Sequence, residues 1–339
     1  MPFGASLAAI LSRDSGAFAP PPFLLSPNRI IVGTKSGSNP TFNFSAIPES
    51  IIKDGSTYWC IYQGNWGGAR DARLASASDI NGPWTAYGSN PILTSGSQSW
   101  ESAISNDGIN APEFYLSGGT YYLYYAVEDT SAGSYGAIGV ATASTITGPY
   151  TKYASNPILV PGTGGAWDSR RVVEPSVLYD GSQWIMAYMG EDDDVTWGES
   201  ERIGIATASD PLGPWTKVES NPLIDWGTGD DWDTKLAADP FIFEDNGYYW
   251  IWYSGGEGSV GEFSRPWSAG LAYSTSPTSS WTKHTSNPII TYGGAGAFDE
   301  KGAWRGSIFA EGGLYYAVFG GINAALNAVK GGNAAIDVT

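Results

Sequence analysis

The sequence predicts an all-β fold built from repeated four-stranded antiparallel units, and three observations carry that prediction. The first is self-similarity. Four segments end alike: Gly82-Pro83-Trp84-Thr85 to Ser89-Asn90-Pro91-Ile92, Gly148-Pro149-Tyr150-Thr151 to Ser155-Asn156-Pro157-Ile158, Gly213-Pro214-Trp215-Thr216 to Ser220-Asn221-Pro222-Leu223, and Ser279-Ser280-Trp281-Thr282 to Ser286-Asn287-Pro288-Ile289. Their Asn-Pro pairs stand 66, 65 and 66 residues apart, and Ser38-Asn39-Pro40 lies 51 residues before the first. A fixed period means an array of supersecondary units, each burying a face on its neighbour. The second observation is turn chemistry. Asp54-Gly55, Gly118-Gly119, Asp180-Gly181, Asn246-Gly247 and Gly312-Gly313 are pairs suited to the positive φ of tight hairpins. The third is alternation. Tyr122 and Tyr124, or Trp250 and Trp252, share one strand face, and no segment holds a helical period.

Taken in order, the third repeat shows the elements best. Residues 175–179 form strand one, Asp180-Gly181 the turn, 183–188 strand two, 202–208 strand three and 215–223 strand four. Four-stranded units repeated in this way are propeller blades. First strands start near Glu49, Glu113, Glu174, Asp239 and Arg305, which counts five blades. The fifth lacks the Gly-Pro-Trp and Asn-Pro ending, and the chain start, through residues 29–32 and Asn39-Pro40, supplies it. Both termini then close the ring and remove an open sheet edge. The expected organisation is an N-terminal extension over residues 1–22 and a five-bladed β-propeller over residues 23–339. The extension carries an apolar run at residues 5–11 and the stiff spacer Pro20-Pro21-Pro22, and reads as an arm that docks on a protein partner.

Composition removes several function classes. With 34 acidic and 17 basic side chains the net charge is −17, which argues against nucleic acid and against an anionic membrane surface. One cysteine, Cys60, excludes an intrachain disulfide and a cysteine zinc site. One histidine, His284, excludes a multi-histidine metal site and argues against a Ser-His-Asp triad. No run of 18 apolar residues is present, so no membrane span is expected, and an extracellular or surface-associated location is. Cys60 reads as buried and inert, and His284 as a surface residue on an outer strand.

Topology places the chemistry. Long, variable connections at 63–73, 127–136, 190–202 and 254–268, and at 94–110, 160–172, 225–238 and 291–304, all fall on one face, where binding usually resides. That face carries Trp66, Arg70, Trp197 and Trp267, none of which the repeat demands. It also gathers Glu49, Glu113, Glu174 and Asp239 at the channel mouth, with Arg305 closing the circle. Carboxylates that share a site raise one another's pKa, which separates acid from base.

The segments Asn110-Ala-Pro-Glu-Phe, Trp167-Asp168-Ser-Arg-Arg-Val-Val-Glu174-Pro-Ser-Val-Leu and Ile203-Gly-Ile-Ala-Thr-Ala-Ser-Asp-Pro-Leu-Gly-Pro-Trp resemble the five-bladed furanosidase superfamily. It holds glycoside hydrolase families 43 and 32: arabinanases, β-xylosidases and fructosidases. The resemblance covers about residues 29–320 and implies a glycosidase acting on furanoside or xyloside linkages. The superfamily uses an Asp of blade one as base or nucleophile, an Asp of blade three to orient and tune, and a Glu of blade four as acid. Carried over, the acid is Asp239, the orienting carboxylate Glu174 and the base Glu49, with the Asp and Glu chain lengths of blades three and four exchanged. Counting back from the aromatic that ends strand two, Tyr188 to Glu174, Tyr253 to Asp239 and Phe319 to Arg305 are each 14 residues, Tyr62 to Glu49 is 13 and Tyr125 to Glu113 is 12. The matching blade-one position is therefore Pro48, and a bulge or shorter hairpin is needed to bring Glu49 back. Many members hold a central cation with a blade-five His. Here that place offers Arg305 or Trp304, so no cofactor is required and a structural calcium has no motif behind it.

Each candidate has a plainer reading. Glu174 and Asp239 could cap blade tops, and Glu113 could be a hydrogen-bonded rim group. The pairs Trp100-Glu101, Trp167-Asp168, Trp232-Asp233 and Phe298-Asp299 recur once per blade and read as an inter-blade device. Trp66, Trp197 and Trp267 either stack on sugar rings or pack locally. The run from Glu191 to Asp194 either binds a hard cation or faces water. Arg170 and Arg171 either pair with carboxylates or grip an acidic sugar. Three function classes stay open: a purely structural propeller with neither binding nor turnover, and two that handle sugar, namely a glycosidase, with Arg70, Glu113, Arg171 and Arg305 among its substrate-binding residues, or a carbohydrate-binding propeller without turnover, such as a component of a surface or virion assembly. An oligo- or polysaccharide is the expected partner in both.

Overall fold

The computed structural model describes residues 25–29, 31–35, 42, 46–64, 69–104, 108–129, 135–193, 200–229, 231–256, 267–311, 314–323 and 329–338. The extension expected over residues 1–22 lies outside them. After β1 (Ile31–Lys35) come five antiparallel meanders. The first holds β2 (Ile47–Asp54), β3 (Thr57–Gly64), β4 (Asp71–Ala77) and β5 (Thr85–Ala86). A short helix α1 (Ser99–Ile104) leads into the second, with β6 (Ile109–Ser117), β7 (Thr120–Glu128), β8 (Gly136–Ala143) and β9 (Thr151–Lys152). The third holds β10 (Arg171–Tyr179), β11 (Trp184–Glu191), β12 (Arg202–Ala208) and β13 (Thr216–Lys217). The fourth holds β14 (Leu236–Asp245), β15 (Tyr248–Gly256), β16 (Trp267–Ser274) and β17 (Thr282–Lys283). In the last, β18 (Gly302–Glu311), β19 (Leu314–Ile322) and β20 (Val329–Val338) are followed not by a later strand but by β1, which pairs antiparallel with β20 from Ile31–Val338 to Lys35–Ala334. The first strands touch in a closed cycle, β2 to β6, β10, β14, β18 and back to β2.

Local chemistry explains the repeat. The hairpin glycines Gly55, Gly181 and Gly247 have positive φ, as the turn requires. The expected outer strand over 215–223 shrinks to two residues in β13, because Asn221 replaces the backbone as partner. Its Oδ1 accepts the Ile205 N–H at 2.9 Å, its Nδ2 donates to the Ile205 carbonyl at 2.8 Å, and Pro222 has no N–H to continue the ladder. Asn90, Asn156 and Asn287 do the same to Leu74, Val140 and Leu271. This is the physical meaning of the Ser-Asn-Pro repeat.

The recurrent aromatic–acid pairs correct the expected inter-blade device. Each locks a connection onto the meander it enters, not one meander onto the next. The Trp167 ring lies on Gly190 and Gly204, where an added Cβ would meet it at 2.5 and 2.7 Å. Asp168 takes the Tyr188 hydroxyl at 3.2 Å and the Lys217 ammonium at 2.6 Å. Glu101 with Tyr125 and Lys152, and Asp233 with Tyr253 and Lys283, repeat the arrangement. His284 is a second correction: it is 2% exposed, with Nε2 3.2 Å from the carbonyl of Ser26, because residues 25–29 cover the fourth meander there. Cys60 is fully buried, as expected.

Candidate active site

Each first strand carries extra residues near its start. In β10, Val173 pairs with Met189 and the next pair is Ser176 with Ala187, so Glu174 and Pro175 together face Tyr188. Asp239-Pro240 in β14, Arg305-Gly306 in β18 and Ala111-Pro112 in β6 are placed alike. Their leading residues sit in the left-handed region, at φ of 57° for Glu174, 51° for Asp239, 55° for Arg305 and 41° for Ala111. Such conformations cost about 1–3 kcal/mol each and collect at functional sites. In β2 the irregularity is one residue shorter, Pro48 pairing with Tyr62 and Ser50 with Ile61, and it leaves Glu49 unpaired. That shorter bulge restores Glu49 to the circle.

Arg305 ties the circle together. Its Nη2 donates to Glu174 Oε1 at 2.9 Å and its Nη1 to Glu49 Oε1 at 3.1 Å. Nη1 also reaches Asn110 Oδ1 at 3.0 Å and Gln63 Oε1 at 3.3 Å. Its Nε lies 2.7 Å from Asp239 Oδ1 as an ion pair, out of line for a hydrogen bond. The side chains of Glu49, Glu174, Asp239 and Arg305 are 10, 8, 4 and 7% exposed, so this is a buried cluster of three acids and one base. Glu174 also accepts the Asp239 N–H on Oε2 at 2.8 Å, which commits both its oxygens. Both oxygens of Asp239 are buried, and its carboxyl lies against that of Glu174, with no other residue donating to it.

Burial sets the protonation. It pushes the Glu49 carboxyl up to about 7 and the Asp239 carboxyl up to about 6, against the pull of Arg305 in both. Glu174 is raised by burial and by the charge of Asp239 beside it. Beneath the cluster lies a void of about 20 Å³ lined by Glu49, Glu113, Glu174 and Asp239. It has room for one water and none for a sugar ring. Farther along, the channel widens to about 570 Å³ between Phe114, Tyr179 and Phe243.

The other candidates fall as follows. Glu113 is not the second meander's member of the circle; Ala111 holds that position. Glu113 pairs with Tyr124, one layer deeper, and accepts Ser176 Oγ and the Val177 N–H, both at 2.9 Å. Arg171 is 3% exposed, and its three guanidinium nitrogens donate to Glu191, Glu128 and Glu201 at 2.7–2.8 Å. Arg70 also donates to Glu128, at 3.0 Å, and Arg170 lies 3.7 Å from Glu191. The acidic run is thus no solvated loop at its start: Glu191 is fully buried and Asp192 accepts Arg202, while Asp194 lies outside the described residues. Trp267 is 8% exposed, its ring packed edge-on at 5.0 Å against Trp304, which in turn lies 4.9 Å from the Arg305 guanidinium. Trp66 and Trp197 lie outside the described residues. Sequence reasoning missed Gln63 and Asn110. Both were visible as polar residues where equivalent positions carry Ala126, Met189 and Gly320, or Val173, Ala238 and Trp304.

The central cation of the superfamily does not fit these residues. Where a histidine would hold it stands a guanidinium paired with all three carboxylates, and a cation placed there would meet that fixed positive charge.

Comparison with known proteins bears on the fold and the family. The family model described as glycosyl hydrolases family 43 matches residues 37–330. The probable arabinan endo-1,5-α-L-arabinosidase A of Aspergillus flavus is 32% identical over 222 residues, which is 64% of this chain and 60% of that protein. The crystal structure of a thermostable family-43 glycoside hydrolase superposes with a TM-score of 0.63 at 17% identity, covering 87% of this chain and 88% of that one. A mutant α-L-arabinanase of Cellvibrio cellulosa superposes with a TM-score of 0.59 at 18% identity, covering 87% and 92%. The chain belongs to glycosyl hydrolase family 43. It spans about 60% of the length of the first curated relative it matches. No helix among the described residues is long and apolar enough to cross a membrane.

Proposed function

We propose that this protein is a glycosidase that hydrolyses α-L-arabinofuranosidic linkages of arabinan, on a five-bladed propeller over residues 23–339 whose last blade is completed by β1. The carrying observation is that three carboxylates, from three separate meanders, converge on one guanidinium. Family membership and the names of the curated relatives support the substrate. An extracellular or surface-associated location, where arabinan would be met, belongs to the same reading.

The groups divide the work by what they have free. Asp239, to which no neighbouring N–H or hydroxyl donates, holds a proton and gives it to the leaving glycosidic oxygen as the carbon–oxygen bond breaks. Glu49 takes a proton from the attacking water, whose oxygen bonds to the anomeric carbon. Glu174, both oxygens committed, orients Asp239 through its backbone and Arg305 through its carboxyl. One water is consumed, and the proton gained by Glu49 replaces through solvent the one lost by Asp239.

The test is hydrolysis of linear arabinan and of 4-nitrophenyl α-L-arabinofuranoside. Asp239→Asn should lower turnover of arabinan about 10²–10⁴-fold and that of the aryl glycoside less, because a good leaving group needs no acid. Equal rates in wild type and variant would remove Asp239 from the chemistry. The pairing of Arg305 with all three acids favours a second reading, a sugar-binding propeller without turnover. Arabinan binding by calorimetry with no product released would establish it.

A further inference from the structure

Gln63 carries one of the buried side-chain polar atoms that lack a hydrogen-bond partner among the described residues. It is 2% exposed, on β3 beside the cluster. Its Oε1 faces two donors, Arg305 Nη1 and the Ala111 N–H, each at 3.3 Å. Both neighbours are donors, so the carbonyl end of the amide must face them, and this fixes the orientation of the whole group. The amide nitrogen is then held on the other side, where Nε2 is buried and has no hydrogen-bond partner. A buried donor without a partner is costly and rare. Equivalent positions carry Ala126, Met189, Ser254 and Gly320, so the repeat does not demand an amide here. Ser254 shows the purely structural version: its hydroxyl accepts the Arg305 N–H at 2.8 Å, the counterpart of the bond from Ala111 to Gln63. An ionised glutamate would supply that acceptor without the spare donor, and a serine would carry its one donor on the same short hydroxyl that accepts.

We propose that Gln63 is a specificity-determining residue, whose Nε2 donates to a ring hydroxyl of the arabinofuranosyl unit seated over Glu49 and Arg305. The inference rests on the glycosidase reading and names a contact within that same site. A site that carries a buried donor for one hydroxyl rejects the sugar lacking it, because the donor is then left unpaired.

The experiment is a cycle of kcat/KM on 4-nitrophenyl α-L-arabinofuranoside and its 2-deoxy, 3-deoxy and 5-deoxy analogues, with wild type and Gln63→Met. One deoxy position should lower the wild-type value about 10- to 100-fold. Gln63→Met should lower the intact substrate by a similar factor and lose nothing further on that one analogue. Losses that simply multiply at all three positions would overturn the proposal, as would a wild type indifferent to all three. Gln63→Glu, assayed at a pH where the new carboxyl is ionised beside Arg305, keeps the acceptor facing Arg305 and Ala111 and has no donor. It should show the same insensitivity to the critical deoxy position, and stand in if Gln63→Met does not fold. If wild type turns over none of these substrates, the hydrolase reading fails by itself. The cycle is then run as calorimetric binding of arabinotriose, where a Gln63→Met loss under threefold, or no binding by wild type, overturns the proposal.

Discussion

At the scale of single residues, Arg305 is the keystone of the site. Removing it leaves three buried carboxylates without their shared cation, and breaking a buried pair costs about 3–5 kcal/mol. Arg305→Met should therefore lower the free energy of unfolding by that amount at pH 7, and recover part of it at pH 5, where the acids are neutral. Chemical denaturation at the two pH values checks this. The acid and base bring a second expectation. With Glu49 pushed up to about 7 and Asp239 up to about 6, the working state needs the first ionised and the second protonated. The rate should peak between about pH 6 and 7 and fall on both sides, and Glu49→Gln should abolish the acidic limb. Three members of the cluster were legible in sequence, because Glu174, Asp239 and Arg305 keep one spacing to the aromatic of their second strand. Glu49 was legible only as a conditional, since a bulge one residue shorter is a property of strand register. Glu113, at a spacing of 12 rather than 14, follows Pro112, whereas the left-handed residue comes before the proline, and there the second meander has Ala111.

At the scale of elements, the Asn-Pro repeat was plain in sequence and its purpose was not. Reading 215–223 as a strand failed because a side chain had taken over the ladder. Asn221 pairs with both polar groups of Ile205 and also reaches the Tyr188 hydroxyl at 3.2 Å. Asn221→Ala should cost about 1–3 kcal/mol by leaving those groups unpaired, read as a shift of the unfolding midpoint. Asn221→Asp keeps the acceptor for Ile205 N–H and should recover only part. The aromatic–acid pairs were recognised as structural from recurrence alone. Their partners were harder to see, since the lysines of β9, β13 and β17 lie about 50 residues away and meet the acids only once the meander has folded.

At the scale of the whole molecule, protonation and stability are linked. The folded pKa values of Glu49 and Asp239 lie above the unfolded ones of 4.5 and 3.8. Their contribution is fully present below about pH 4 and is lost as pH rises through 6 and 7. Glu128 and Asp180 are lowered, so their contribution is lost only on acidification below the usual carboxylate range. Stability should decline from pH 5 to pH 8, and Glu49→Gln should flatten that decline; guanidinium unfolding across the range is the measurement. The net charge of −17 adds repulsion that grows in the same direction and weakens with salt.

The pairing of β1 with β20 also dictates a timetable. On the ribosome, residues 31–35 emerge about 300 residues before their partner, so β1 must wait, with its hydrogen-bonding edges bare, while everything between them is made. Meanders two to four can assemble as they appear, each from neighbours in sequence, whereas the last joint is among the most distant contacts in the molecule and the one most exposed to mispairing. Slowing synthesis would thus help the middle of this protein and endanger its seam.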